Sequence, residues 1–154
     1  METYDSAKAA RVWQRVQGEA EEAPRHQGLL QLISEEYTAA AQYLALSRRF
    51  RGRQVQQLQK MAEEARSNAA CIKGIYVLLT GERPVVKASA RTLDTVDAAL
   101  RRCYGDLLRR MEAYKARSAD PEYGCIYAKL AVDTLNRSYH ILALLGDTHL
   151  PADN

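Results

Sequence analysis

Glu36 and Asp97 are the acids whose surroundings repeat. Glu36 is followed seven residues later by Tyr43 and then by Arg48-Arg49-Phe50; Asp97 is followed seven residues later by Tyr104 and then by Arg109-Arg110-Met111, at a constant separation of 61. Seven residues are two helical turns, so each acid shares a helix face with its tyrosine. A second correspondence, at a separation of 69, sets Lys60-Met61-Ala62-Glu63-Glu64 beside Lys129-Leu130-Ala131-Val132-Asp133. Carboxylates gathered from several helices are the chemistry of hard cations such as manganese or magnesium. Glu36, Glu64, Asp97 and Asp133 are the set this chain offers for it. An acid with a histidine three residues on would add a chelating pair on one helix face, but neither candidate helix contains one. His140 follows Asp133 by two turns, too far to share one ion, and is read as a satisfied or partly exposed side chain. His26 and His149 fall outside the helices. Cys71, Cys103 and Cys125 contain no CxxC pair, which argues against a disulfide framework or a four-cysteine centre. They are read as small core residues.

The elements that would carry these residues are helices. Ala, Leu, Arg, Gln and Glu dominate the composition, and all favour helix. A short amphipathic helix is predicted over Asp5–Gln17, with Ala9, Val12, Trp13 and Val16 on one face. A linker with Pro24 follows. Helix A is predicted over 28–51, turned by Gly52, and helix B over 54–80, with Gly81 past its end. Their inward stripes are Leu29, Leu32, Ile33, Tyr37, Ala40, Tyr43, Leu44 and Phe50, then Val55, Leu58, Met61, Ala62, Ala65, Ile72, Ile75, Leu78 and Leu79. Pro84 breaks the segment 81–90, which extended spans roughly 33 Å, close to the ~37 Å length of a 25-residue helix. It can therefore cross the length of a bundle and join two parallel helices. Helix C is predicted over 92–117, with Val96, Leu100, Tyr104, Leu107, Leu108 and Met111 inward. Asp120 and Pro121 open helix D, and Gly146 ends it. The fold class is thus all-α: a four-helix bundle over residues 28–146 with one long crossover between helices B and C. Residues 1–27 form an N-terminal helix and linker, and 147–154 a polar tail.

With the single crossover, Glu36 and Tyr43, and Glu63-Glu64-Ala65-Arg66-Ser67-Asn68 leading into Ile72-Lys73-Gly74-Ile75-Tyr76, residues 28–146 resemble the ferritin-like superfamily, on the rubrerythrin side. The resemblance implies a di-iron or di-manganese bundle in which helices A and C each supply a glutamate and helices B and D each supply Glu-x-x-His. Glu36 keeps the first position and Asp97 stands at the helix C position. The other two motifs read Ala65/Asn68 and Thr134/Arg137, so four of six ligands are missing. Two buried carboxylates without metal need a partner. Arg137, at a histidine position, is expected to bridge Glu36 and Asp97, with Asn68 bonding the remaining oxygens. The competing register turns Glu35 or Val96 inward instead.

Three functions follow as expectations. The first is a degenerate, non-metal-binding structural or interaction module without cofactor. The second is a peroxide-scavenging oxidoreductase using iron or manganese on the atypical set Glu36, Glu64, Asp97 and Asp133. The third is a small-ligand site in the vacated bundle centre, lined by Tyr43 and Tyr104. Lys and Arg number 22 against 19 Asp and Glu, and no basic stripe with interleaved aromatics points to nucleic acid. The acidic start Met1–Asp5 and the lack of a long apolar run predict no signal peptide, no membrane span and a cytoplasmic protein. A homodimer is the expected assembly.

Overall fold

The computed structural model describes residues 24–89 and 95–148. Four helices account for most of them: α1 (Leu29–Ser47), α2 (Arg53–Thr80), α3 (Val96–Ala116) and α4 (Gly124–Thr148), with one 3₁₀ turn at Arg117–Ala119. The predicted helix over Asp5–Gln17 lies outside the described residues, as do Thr92 and His149. α1 packs on α2 and α3 on α4 as two hairpins, giving an all-α four-helix bundle. Thr95 caps α3, its hydroxyl accepting from the Ala98 amide. Asp120 Oδ1 accepts from the Glu122 and Tyr123 amides and its carbonyl from Gly124, so Asp120 starts α4 as a capping residue does. Gly81 adopts φ 71° beyond α2 and bonds back to the Val77 carbonyl, the usual left-handed stop. Gly146 does not end α4, which runs two residues further.

The helix directions follow from a few contacts. Arg117, just past α3, donates to the carbonyls of Arg25 and Gln27 before α1, while Cys103 Sγ donates to Gln42 Oε1 within the helices. α1 and α3 are therefore antiparallel. Gln57 meets His140 at 2.6 Å and Gln54 meets Asp147 at 3.3 Å, so α2 and α4 are antiparallel too. α2 and α3 consequently run the same way. The segment after α2 returns along α1, where Ser34 Oγ donates to the Lys87 carbonyl (3.0 Å) and the Ser89 amide to Thr38 Oγ1 (2.9 Å).

The core is two apolar clusters stacked end to end. One gathers Ala39, Tyr43, Leu46, Leu58, Met61, Ala62, Leu100, Leu107, Ile141 and Leu144. The other gathers Leu29, Ile33, Ala69, Ile72, Ile75, Tyr114, Tyr127 and Leu130. Several sequence expectations need correction. Leu78, predicted inward, is 72% exposed, because Ile75 and Tyr76 already fill the core-facing arc of that turn. Cys71 and Cys125 are exposed, and only Cys103 is a core residue.

The α3–α4 corner is unusually close. A Cβ on Gly124 would collide with the Ser118 carbonyl oxygen, whereas one on Gly105, mid-helix in α3, meets nothing within 4 Å. Gly124→Ala should therefore destabilise the fold by about 1–3 kcal/mol through forced backbone movement. Gly105→Ala should stabilise it by about 0.5–1 kcal/mol through helix propensity. Urea unfolding of the two variants measures both.

Candidate functional site

Between the two apolar clusters lies one polar layer, to which every helix contributes: Glu36 from α1, Asn68 from α2, Arg110 from α3, and Thr134 and Arg137 from α4, all buried. On each helix the polar residue interrupts an otherwise apolar stripe. In α3 the run Leu100, Cys103, Leu107, Arg110, Tyr114 keeps the 3-4 spacing of a buried face straight through the charge.

Glu36 is the hub. Arg137 approaches end-on, Nη1 to Oε2 at 3.2 Å and Nη2 to Oε1 at 3.4 Å. Nη2 also reaches Thr134 Oγ1 at 3.3 Å, and that hydroxyl donates to the Leu130 carbonyl at 2.7 Å. The Tyr114 hydroxyl donates to Glu36 Oε1 at 2.6 Å. Arg110 Nε stands 3.5 Å from the same oxygen, an ion-pair contact without hydrogen-bond alignment. One carboxylate thus faces two guanidiniums and one phenol. Burial by itself would raise the Glu36 carboxyl, but Arg137 and Arg110 outweigh it and hold the group below its ordinary value. Tyr114 is pushed up, first by burial and then by the Glu36 charge beside it. Burial raises Tyr43 to about 12, against the lowering pull of the two arginines.

The placements differ from the sequence expectation in instructive ways. Glu36 and Arg137 come together as expected. Asp97 does not join them. It lies in the first turn of α3 and pairs at the surface with Arg101 at 2.7 Å. Because α1 and α3 are antiparallel, the residue opposite Glu36 is Arg110, thirteen positions further along α3, or about 20 Å. The separation of 61 thus does not bring Glu36 and Asp97 together, although Gln42 and Cys103, related by the same separation, do meet at 3.5 Å. The competing register holds for α3, where Val96 packs against the core, but not for α1, where Glu36 is inward. Asn68 enters the layer, yet its amide nitrogen has no hydrogen-bond partner, so it does not complete Glu36 as expected. Ala65 lies in the apolar cluster one turn away. Tyr43 is fully buried, while Tyr104 is only partly buried at the edge of that cluster, so the two do not line one central cavity. Glu64 and Asp133 do face each other across α2 and α4, but they line an outer groove with Lys60, Lys129, Asn68, Arg137 and His140. Glu64 pairs with Lys60 at 4.0 Å. Among the described residues no three His, Cys, Asp or Glu side chains cluster as metal ligands do. Arg110 and Tyr114 were missed, although a charge inside a 3-4 apolar run was a readable signal.

Searches of protein-family models, curated proteins and solved structures yield no match to this chain.

Glu36 is the only carboxylate in direct contact with either buried guanidinium among the described residues. Glu36→Ala should therefore cost about 3–5 kcal/mol by leaving buried charge uncompensated. Replacing Glu36, Arg110 and Arg137 together with methionine should recover most of that loss. Chemical denaturation of the single and triple variants tests both.

The pH dependence follows from the same group. Since folding lowers the Glu36 carboxyl, its contribution is fully present above the ordinary carboxylate range and disappears as pH falls through the folded value. Stability measured from pH 7 downward should fall less steeply in Glu36→Gln than in the unchanged chain.

Proposed function

We propose that this chain is a ferritin-like bundle of the rubrerythrin type in which an ionic cluster stands in place of a di-metal centre. It acts as a structural or interaction module rather than as a di-metal oxidoreductase. The observation that carries this reading is Glu36 gripped by Arg137 at 3.2 Å and approached by Arg110 at 3.5 Å. Two fixed cations flank the one buried carboxylate of the layer and supply the positive charge that metals would have brought. A cation entering the layer would meet guanidiniums instead of free carboxylate lone pairs.

The topology supports the same reading. Parallel α2 and α3 joined by a connection along α1 match the arrangement of single-crossover bundles. In that register the positions expected to carry two Glu and two Glu-x-x-His are Glu36, Ala65/Asn68, Arg110 and Thr134/Arg137. Glu36 alone retains a ligand type. Arg110, not Asp97, replaces the second glutamate.

Protein produced with abundant iron and manganese should carry far less than one equivalent of either metal. Its thermal midpoint should not move on adding chelator. Elemental analysis near two equivalents per chain, or peroxidase turnover that chelator abolishes, would sink the proposal and restore the oxidoreductase reading.

A further inference from the structure

A cavity of about 510 Å³ opens between α1, α2 and the returning segment, away from the polar layer. Its floor is apolar: Ala40, Ala41, Leu44 and Ala45 from α1, with Val86 and Ala88 from the returning segment. The charged side chains on its wall are Arg48, Arg66 and Lys73, all cations. Lys73 Nζ lies 4.8 Å over the Tyr37 ring and pairs with no carboxylate among the described residues. Arg48 and Arg66 have no side-chain hydrogen bond or ion pair among the described residues. This contrasts with the outer groove between α2 and α4, where Glu64 and Asp133 balance the lysines.

The volume falls within the roughly 300–1,000 Å³ typical of small-molecule sites. From Tyr37 to Arg48 the α1 wall is about 16 Å long at 1.5 Å per residue. A trough with an apolar floor, and cations on its wall that no described carboxylate opposes, is complementary to an unbranched hydrocarbon ending in an anion. The Ser34–Lys87 and Ser89–Thr38 hydrogen bonds hold the returning segment against α1 on this side, so the wall bearing Val86 and Ala88 is positioned before any ligand arrives.

We infer that this cavity is a binding site for a medium-chain acyl carboxylate, its chain lying on Ala41, Leu44 and Val86 and its head group held by Arg66, with Lys73 two turns along α2 adding to the positive field. Binding energy is divided accordingly. The chain contributes through buried apolar area, and the carboxylate through charge-assisted hydrogen bonds to Arg66. Neither part suffices alone.

Isothermal titration of the full chain with dodecanoate, below its micelle concentration, tests the inference. The expected result is saturable binding of one dodecanoate per chain. Dodecanol, with the chain but no charge, and butyrate, with the charge but little chain, should each bind at least tenfold more weakly. Arg66→Gln should weaken dodecanoate about tenfold or more, the usual effect of losing one hydrogen bond to a charged group. Ala41→Trp should abolish binding by filling the trough. Both positions are exposed, so the far-UV circular dichroism and thermal midpoint should stay unchanged, and a variant that alters them is replaced by Lys73→Gln. The inference is overturned if dodecanoate does not bind. It is also overturned if dodecanol binds equally well, if none of the variants matters, or if the chain binds only anionic phospholipid vesicles and not the free acid. The metal analysis above is independent of every one of these outcomes.

Discussion

One carboxylate placed between two guanidiniums sets the terms for the rest of this bundle. Moving charges from water into a helical core costs several kcal/mol per ion even after relaxation. The interior therefore has to surround Glu36 with donors: Arg137 end-on, the Tyr114 phenol on one oxygen, and Arg110 close by. Each partner comes from a particular turn of α3 or α4. The layer thus fixes how far α3 and α4 slide along α1, because a shift of one turn would leave the carboxylate facing Leu107 or Ile141. Apolar packing in the two flanking clusters is far less demanding about register, since leucine and isoleucine can interdigitate in more than one way.

The same layer explains the division of the core. Polar residues at one level of all four helices split the apolar stripes into two clusters, and each cluster is closed at its far end differently. At the end where α1 begins, Arg25 spans Asp120 at 2.8 Å and Glu122 at 3.0 Å and lies over Tyr123, while Arg117 bonds back to the start of α1. These contacts lie at the surface and hold the α3–α4 corner to the chain preceding α1. They position ends rather than supply much stability, because exposed ion pairs are screened by water. At the other end the Gly52 turn and the Gln54–Asp147 and Gln57–His140 contacts do the equivalent work.

The cavity beside α1 arises from the connection that parallel helices require. A segment long enough to return along the bundle cannot pack everywhere as tightly as a helix, and its small and β-branched residues Val86 and Ala88 leave a trough over the alanine-rich outer face of α1. Two separate chemical environments thus follow from one topology. The inner one is ionic and already filled by the chain's own side chains; the outer one is apolar with cations at its edge.

Helix existence, the long connection and most of the buried stripe were legible in the sequence, because 3.6-residue periodicity, Gly81, Asp120 and Pro121 are local signals that act within a few residues; two helix ends were not, since α1 stops at Ser47 rather than at 51 and α4 runs past Gly146. The inward placement of Glu36 and of Arg137 beside it was legible for the same reason, each lying on a stripe set by its own helix. The partner of Glu36 on α3 was not. Two helices of similar composition can be aligned at many offsets, and the repeat of acid and tyrosine pointed to Asp97. The antiparallel packing of α1 and α3 put Arg110 there instead and left Asp97 to Arg101 at the surface. Which residue faces which across a bundle depends on helix direction, axial shift and rotation together, and only the tertiary structure sets all three.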